Sequence, residues 1–258
     1  MIREEALAAF DEQLRNTVRP GLGGGRFERV GDVIRCVSPT PDGWNGVDWS
    51  DLDETTADAA IAEQVAYFAG LGRSFEWKYY THDKPADLPD RLRAAGLAPE
   101  AEEALMVAAV ADIPLDAPVP EGISLRSVSD AAGLELARRV HDEVFGCDHG
   151  PMIAAMHARL RESPDALAVV LALAGDRPVS ASRVDFHAGT DFASLWGGGT
   201  LPEWRRRGIY RAMVCHRTKL AAERGFTYLR TDALPTSRPI LEKLGFTRIS
   251  TTIPFVRR

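Results

Sequence analysis

Hydrophobic positions in the first half of the chain recur at helical spacing in some segments and alternate with polar positions in others. Apolar stripes such as Ile61, Val65 and Phe68 predict helices, and alternation predicts strands. The predicted helices cover 2–17, 54–70 and 87–96, and the predicted strands cover 26–37 (a hairpin), 75–80 and 103–110. The segment 38–53, rich in Pro, Gly, Asp and Trp, is predicted to be a loop.

A segment with three prolines, 111–122, separates this half from a second one whose order is clearer. The segment has neither a helical nor a strand period, so we predict a linker. The second half is predicted to form strands over 123–128, 166–175, 177–189, 192–201, 226–233 and 246–256, and helices over 130–145, 152–163, 208–224 and 237–245. Mixed strands with helices on both faces predict an α/β fold with a mixed sheet rather than a sandwich.

One stretch of the first half resembles the end of the second. Residues 91–107, RLRAAGLAPEAEEALMV, and residues 240–256, ILEKLGFTRISTTIPFV, each read as a short helix, a glycine and a final strand. A strand precedes both. We interpret this as a degenerate structural repeat, so that the chain holds two related units. Chance similarity between two ordinary helix-to-strand segments is the alternative.

Length and composition limit the class of protein. The chain has 258 residues, of which 45% are hydrophobic and 26% charged, and these are values of a globular protein with one large or two small domains. The formal net charge of −6 argues against a general nucleic-acid binder. No apolar run approaches the ~20 residues that a membrane span needs, so we expect no membrane partner and a soluble, cytoplasmic protein.

The cysteines and histidines do not suggest a metal site. The three cysteines, Cys36, Cys147 and Cys215, are far apart and form no CxxC pair, so we expect reduced thiols. His141, Cys147, Asp148 and His149 are close in sequence, but their spacing matches no strong zinc pattern. We therefore expect no bound metal.

The segment 201–214, LPEWRRRGIYRAMV, has the parts of an anion site. Pro202 has no N–H and would end the preceding strand. Arg205, Arg206 and Arg207 follow, and Gly208 lets the backbone turn tightly where a helix begins. The first N–H groups of a helix have no partners within it, and with the helix dipole they attract anions. We call residues 205–211 the cradle.

A solvated helix start is the alternative interpretation of the same residues. Three positive charges at a helix N-terminus oppose the helix dipole, and this arrangement costs stability unless an anion offsets it. Other phosphate-binding motifs fit less well. GxxxxGK[ST] is absent, and the GLGGGR stretch at 21–26 has the wrong glycine spacing and no following helix.

The cradle and its flanks resemble a known family signature. Arg205-x-x-Gly208-x-Tyr210, preceded by Thr200-Leu201-Pro202, resembles the Gln/Arg-x-x-Gly-x-Gly/Ala motif of the GCN5-related N-acetyltransferase (GNAT) superfamily. The downstream SRPILEKLGF, 237–246, resembles the family's second motif. The resemblance covers roughly 122–258. It implies an acyl-CoA N-acyltransferase fold with two GNAT-like units: a degenerate N-terminal domain, 1–112, and an acetyl-CoA-binding domain, 122–258.

The resemblance also implies where acetyl-CoA would bind as co-substrate. In this family two neighbouring strands splay apart, and the pantetheine arm pairs with the exposed strand like an added strand. By position the arm would pair with Gly199, Thr200 and Leu201, and Ser237 would flank it. The pyrophosphate would meet the backbone of the cradle, with its residues Arg205, Arg206, Arg207, Gly208, Ile209, Tyr210 and Arg211.

The sequence departs from the family pattern at three positions. Tyr210 stands where Gly or Ala is usual, Leu241 where a tyrosine often acts as general acid, and Ser194 where some members have a glutamate base. Other residues or a water relay would then move protons, and orientation of the two substrates is a further source of rate. The candidates are Asp185, His187 and Asp232, with His149 in the loop that borders the acceptor site in this family; for each, a structural role is the alternative.

The resemblance implies an N-acetyltransferase that transfers an acetyl group from acetyl-CoA to a primary amine by direct attack in a ternary complex. The acceptor is expected to be a small molecule or a peptide. A non-catalytic acyl-CoA-binding sensor or interaction module is the main alternative, and a binder of another phosphate compound is a third. The N-terminal half lacks a cradle and is expected to have lost cofactor binding. Monomer and homodimer both stay open.

Overall fold

The computed structural model describes residues 2–21, 24–40 and 43–258. The chain forms two compact units. The first unit contains the described part of 1–105 together with 232–235 and 248–258, and the second contains 106–231 and 236–247. None of the helices in the described ranges is long and apolar enough to cross a membrane. The domain limits predicted from sequence stay a prediction.

The described part of the chain contains seven α-helices and twelve strands. The helices are α1 (Ile2–Phe10), α2 (Ala57–Gly70), α3 (Leu88–Ala94), α4 (Ala131–Phe145), α5 (Gly150–Glu162), α6 (Ile209–Glu223) and α7 (Arg238–Lys243). The strands are β1 (Arg26–Val30), β2 (Val33–Val37), β3 (Gly46–Ser50), β4 (Phe75–Tyr80), β5 (Ala98–Pro99), β6 (Glu103–Ala109), β7 (Ile123–Val128), β8 (Leu167–Ala174), β9 (Arg177–Phe186), β10 (Phe192–Thr200), β11 (Tyr228–Ala233) and β12 (Thr247–Arg257).

The sheet of the first unit has the order β1-β2-β3-β4-β12, and β5 also pairs with β12. The pairs are antiparallel except for β3 and β4, which are parallel. Trp77 of β4 and Phe255 of β12 belong to a buried core together with Ile61 and Phe68 of α2 and Leu92 of α3. The apolar stripe of α2 is therefore buried by this core, because helix and strand each present one apolar face.

A buried arginine joins distant parts of the first unit. Arg15 follows α1 in a π-helical turn, 11–15, and its side chain is only 2% exposed. It donates to both carboxylate oxygens of Asp83 at 2.9 Å, to Asp11 Oδ1 at 2.8 Å and to the backbone carbonyl of Asp48 at 2.8 Å. The buried guanidinium is thus balanced by carboxylates, as buried charges must be.

His82 extends this network to the last strand. Its Nε2 lies 3.0 Å from Asp11 Oδ2 and its Nδ1 lies 2.7 Å from Ser250 Oγ. Burial by itself raises the pKa of Asp11, but hydrogen bonds and charges of His82 and Arg15 outweigh it and hold that pKa below its usual value. Asp11 therefore contributes stability above its ordinary pKa of about 4, and this contribution is lost as the pH falls through the lowered value.

The second unit is built on an antiparallel meander, β7-β8-β9-β10, and β11 pairs parallel to β10. Strand β8 reads LAVVLALA and is apolar throughout because both of its faces are covered. Val169 and Leu171 belong to a core with α4 and α5, whereas Val170 and Ala172 pack with α6.

Most predicted elements are confirmed within a few residues. The main error is the segment 38–53, predicted to be a loop, which contains β3. Its short strand is flanked by turn residues and is held by pairing to β2 and β4, which the local pattern does not show. The first helix, predicted over 2–17, is α-helical only to Phe10, and the two-residue strand β5 was not predicted. Residues 22, 23, 41 and 42 of the predicted breaks lie outside the described residues.

Candidate active site

Strand β10 parts from its neighbour β11 partway along its length. The pairing of β10 with β11 runs from Phe192 to Ser194, whereas its pairing with β9 continues to Thr200. Thr231 Oγ1 donates to the carbonyl of Leu195 at 2.8 Å, at the point where the two strands separate. We call the opening beyond this point the cleft. Backbone groups at a strand edge can pair with an extended ligand.

A β-bulge between Trp196 and Gly199 shapes the cleft side of β10. Gly197 has a φ of +60°, a conformation that favours glycine. His141 of α4 supports the bulge, because its Nε2 donates to the Gly197 carbonyl over 2.8 Å. A Cβ atom at Gly197 would lie 3.3 Å from this imidazole. The bulge is therefore held by a close backbone approach to a buried histidine.

His141 is expected to stay neutral and to make stability depend on pH. Burial lowers its pKa to about 4, whereas the unfolded chain titrates near an ordinary value of about 6.5. The unfolded state therefore binds more protons between these values. Stability should be complete above about pH 6.5 and fall by up to about 1.4 kcal/mol per pH unit as the pH decreases toward 4.

Two measurements check the behaviour of His141. An NMR titration should show its ring resonances unchanged from pH 8 to pH 5. Denaturant unfolding at pH 7 and pH 5 should show a smaller pH effect for His141→Gln than for the wild type. A His141 resonance that titrates near pH 6.5 would contradict the prediction.

The cradle has the backbone geometry of an anion site. Arg206 has a φ of +61° and Gly208, which precedes α6, has a φ of +87°. No side chain caps the first turn of α6, and 205–208 are exposed. Left-handed residues next to right-handed ones turn successive N–H groups toward one point. The helix start therefore presents backbone donors on an open surface.

Two of the cradle arginines also contact the loop before the helix. Arg205 Nε donates to the Thr200 carbonyl at 3.0 Å, and an Arg207 Nη donates to the Glu203 carbonyl at 3.1 Å. The Arg207 guanidinium lies 4.6 Å from the centre of the Trp204 ring. These contacts orient positive charge around the helix start, where it suits phosphate oxygens.

The backbone of 199–201, which was predicted to pair with the pantetheine arm, already makes hydrogen bonds to other residues of the second unit. Ser180 Oγ donates to the Gly199 carbonyl at 2.6 Å, and Leu201 N donates to the Val179 carbonyl at 3.0 Å. The role of 199–201 in binding an arm stays a prediction.

Aromatic and basic side chains surround Trp196 on one face of the second unit. The guanidinium of Arg230 lies 4.4 Å from the Trp196 ring and that of Arg183 lies 5.8 Å from it. Sequence reasoning did not find this cluster, because its members come from three strands. Alternating positions along β9, β10 and β11 could have predicted that these side chains lie on one face, since residues paired across neighbouring strands share a face.

The histidines near α4 form a second cluster. His149 precedes α5, and its backbone N–H and Nδ1 lie 2.8 Å and 3.2 Å from Asp142 Oδ1. Its ring packs beside those of His141 and Phe145. In the described part of the chain, no group of three or more His, Cys, Asp or Glu side chains is arranged to hold a metal ion.

No protein-family model matches the chain, and no curated protein matches it. The chain is similar to a solved GCN5-related N-acetyltransferase from Kribbella flavida, with 17% identity and a TM-score of 0.74 over 99% of this chain and 95% of that one. A GCN5-related N-acetyltransferase from Sphaerobacter thermophilus has 14% identity and a TM-score of 0.61 over 98% and 84%. A tandem GNAT protein from the clavulanic acid biosynthesis pathway has 13% identity and a TM-score of 0.61 over 90% and 82%. The chain has the GCN5-related N-acetyltransferase fold.

The GNAT fold confirms the fold class predicted from sequence, a mixed α/β sheet with two GNAT-like units. Two positions that the sequence resemblance pairs with catalytic groups hold buried residues that do not ionise. Leu241 on α7 is 1% exposed and Ser194 on β10 is fully buried. Proton transfer in a GNAT reaction would therefore need other groups.

The three predicted catalytic residues have different surroundings. Asp185 forms an ion pair with Arg183 at 3.0 Å, and Asp232 forms one with Lys78 at 2.6 Å in the first unit. His187 lies just beyond the end of β9, and its Nε2 is 2.7 Å from Ser194 Oγ. Two of the three therefore adjoin Ser194: Asp185 is its partner on β9, and His187 contacts its side-chain hydroxyl.

Proposed function

We propose that this protein is an N-acetyltransferase that transfers an acetyl group from acetyl-CoA to a primary amine. One observation carries the proposal: β10 stops pairing with β11 at Ser194, and the strand edge that follows, 196–200, lies in the same unit as an exposed helix start with two left-handed residues and three arginines. Among phosphate compounds, an acyl-CoA combines a pyrophosphate with an extended amide-bearing arm. Such an arm can pair with a strand edge.

The cradle fits the pyrophosphate end of this donor. The space beside Gly208 is open, since an added Cβ would have its nearest neighbour, Pro120 Cγ, at 3.9 Å. The N–H groups at the start of α6 and the side chains of Arg205, Arg206 and Arg207 would hold the phosphates. When bound, the thioester supplies an activated acetyl carbonyl.

The chain's own residues would orient the acceptor and take up its proton. We assign proton uptake to His187, because its imidazole reaches the buried Ser194 hydroxyl. Asp185 is held by Arg183 and would position neighbouring groups. Much of the rate would come from holding the two substrates in reacting geometry within a ternary complex. The acceptor would be the amine of a small molecule or a peptide.

The second candidate function is a non-catalytic acyl-CoA sensor. Leu241 and Ser194 favour it, because neither can supply the acid or base of the usual GNAT reaction. The cradle is compatible with both candidates.

A thiol-release assay distinguishes these functions. The purified protein is incubated with acetyl-CoA and a panel of amines, amino acids, aminoglycosides and peptides, and free coenzyme A thiol is measured with and without each acceptor. We expect at least one acceptor to stimulate release and to be acetylated by mass spectrometry. Tight binding of coenzyme A without turnover across the panel would support the sensor, and selective binding of another phosphate compound would contradict both.

A further inference from the structure

Tyr210 is the bulky residue of the cradle, and it lies across the space next to β10. It belongs to the first turn of α6. A Cβ atom placed on Gly198 would lie 2.8 Å from Tyr210 Cε2, which is closer than real Cβ contacts allow. The absence of a side chain at Gly198 therefore leaves room for the tyrosine ring against β10.

The Tyr210 hydroxyl interacts with the side chain of Ser237, the residue that precedes α7. Burial raises the pKa of the phenol, although the nearby Arg217 guanidinium and the bond to Ser237 act in the opposite direction. The phenol is therefore protonated at neutral pH and available for hydrogen bonding.

The ring and the pantetheine arm would need the same space. The proposed function, on which this inference rests, pairs the arm with the β10 edge at 199–201, and the Tyr210 ring lies against Gly198, the preceding residue of that strand. We propose that Tyr210 sets the affinity for the donor: its side chain closes the path of the arm and must leave Ser237 before an acyl-pantetheine can enter.

The two ends of the donor, the diphosphate and the pantetheine arm, should depend differently on Tyr210. Residues 205–208 of the cradle are exposed, and the cradle would hold phosphates through backbone N–H groups and arginine side chains, not through the Tyr210 ring. Binding of the nucleotide diphosphate should therefore not depend on the side chain of Tyr210. Only molecules in which the Tyr210 side chain has left the path of the arm can bind coenzyme A. The apparent affinity for coenzyme A should therefore fall in proportion to the fraction of such molecules, because apparent affinity scales with the population that is competent to bind.

The test compares coenzyme A with 3′-phosphoadenosine 5′-diphosphate, which keeps the diphosphate and lacks the arm. Calorimetry on the full chain would measure both compounds for the wild type, Tyr210→Ala, Tyr210→Phe and Ser237→Ala. We expect Tyr210→Ala to bind coenzyme A at least about tenfold more tightly than the wild type, which corresponds to about 90% of wild-type molecules having the path closed by Tyr210. The affinity for 3′-phosphoadenosine 5′-diphosphate should stay within about twofold of the wild-type value.

The other variants serve as graded controls. Tyr210→Phe and Ser237→Ala remove the hydroxyl bond and keep a ring in place, so coenzyme A affinity should rise less than in Tyr210→Ala. Thermal unfolding would show that each variant is folded. These two conservative variants keep the proposal testable if Tyr210→Ala unfolds.

The outcomes distinguish this proposal from the proposed function. If the armless compound binds and the affinity ratio of the two compounds is unchanged or lower in all three variants, Tyr210 does not close the path. If neither compound binds to any form of the protein, the donor site itself is wrong and this proposal fails with it. An affinity ratio of coenzyme A to the armless compound that rises most in Tyr210→Ala, and less in Tyr210→Phe and Ser237→Ala, supports the proposal.

Discussion

Gly208→Val is expected to weaken coenzyme A binding by about 10- to 100-fold, or about 1–3 kcal/mol, the cost of forcing a residue into an unfavourable backbone region. Gly208 has a φ of +87°, which a β-branched residue adopts only with strain. The substituted chain would relieve this strain by moving the helix start, and the donors of the cradle would then lose their common direction. Calorimetry with coenzyme A measures the loss.

Gly225→Val is the matched control for this substitution. Gly225 lies just beyond the other end of α6, has a φ of +78° and would have open space around an added Cβ. Both variants should therefore lose similar amounts of folding stability. Only Gly208→Val should lose affinity. Equal coenzyme A affinity in the two variants would show that the backbone at Gly208 does not approach the donor.

Arg15→Met is expected to destabilise the protein by about 3–5 kcal/mol, the usual consequence of removing one partner from a buried ion pair. Although burial by itself lowers the pKa of Arg15, Asp83 and Asp11 raise it far above its ordinary value, so the charge is fixed. Methionine fills much of the same volume. It would leave the nearly buried Asp83 carboxylate without its two hydrogen bonds from Arg15.

Denaturant unfolding of Arg15→Met and of Arg93→Met checks this expectation. Arg93 also pairs with an aspartate of the first unit, Asp90, but the side chains are 49% and 82% exposed. Exposed pairs contribute about 0–1 kcal/mol. Adding Asp83→Asn to Arg15→Met should recover part of the lost stability. If Arg15→Met lost less than about 1 kcal/mol of unfolding free energy, the buried ion pair would contribute no more than an exposed one, and the prediction would be wrong.

Local sequence determined much of the second unit and the position of the cradle. The alternating and helical periods of 123–257 identified its strands and helices within a few residues, because apolar faces must be buried at the period of each element. Pro202, the three arginines and Gly208 act on their immediate neighbours: an absent N–H, adjacent charges and an unrestricted φ. Such effects can be predicted without knowledge of the fold.

The tertiary structure decided which side chains meet. Strand β3 forms in a segment rich in turn residues because β2 and β4 pair with it. His187 was predicted as a catalytic candidate and Ser194 as an empty position, and only the hairpin brings them together. His141 and Gly197 are 56 residues apart in sequence, yet their hydrogen bond supports the bulge.

Tyr210 shows most clearly what the sequence predicts and what only the tertiary structure decides. The sequence by itself showed a large residue where the family motif has a small one. The fold decided that its ring lies against Gly198 and that its hydroxyl meets Ser237. Periodicity and local conformational preference depend on neighbouring residues, whereas the direction of a side chain depends on the atoms packed around it, and these come from distant parts of the chain.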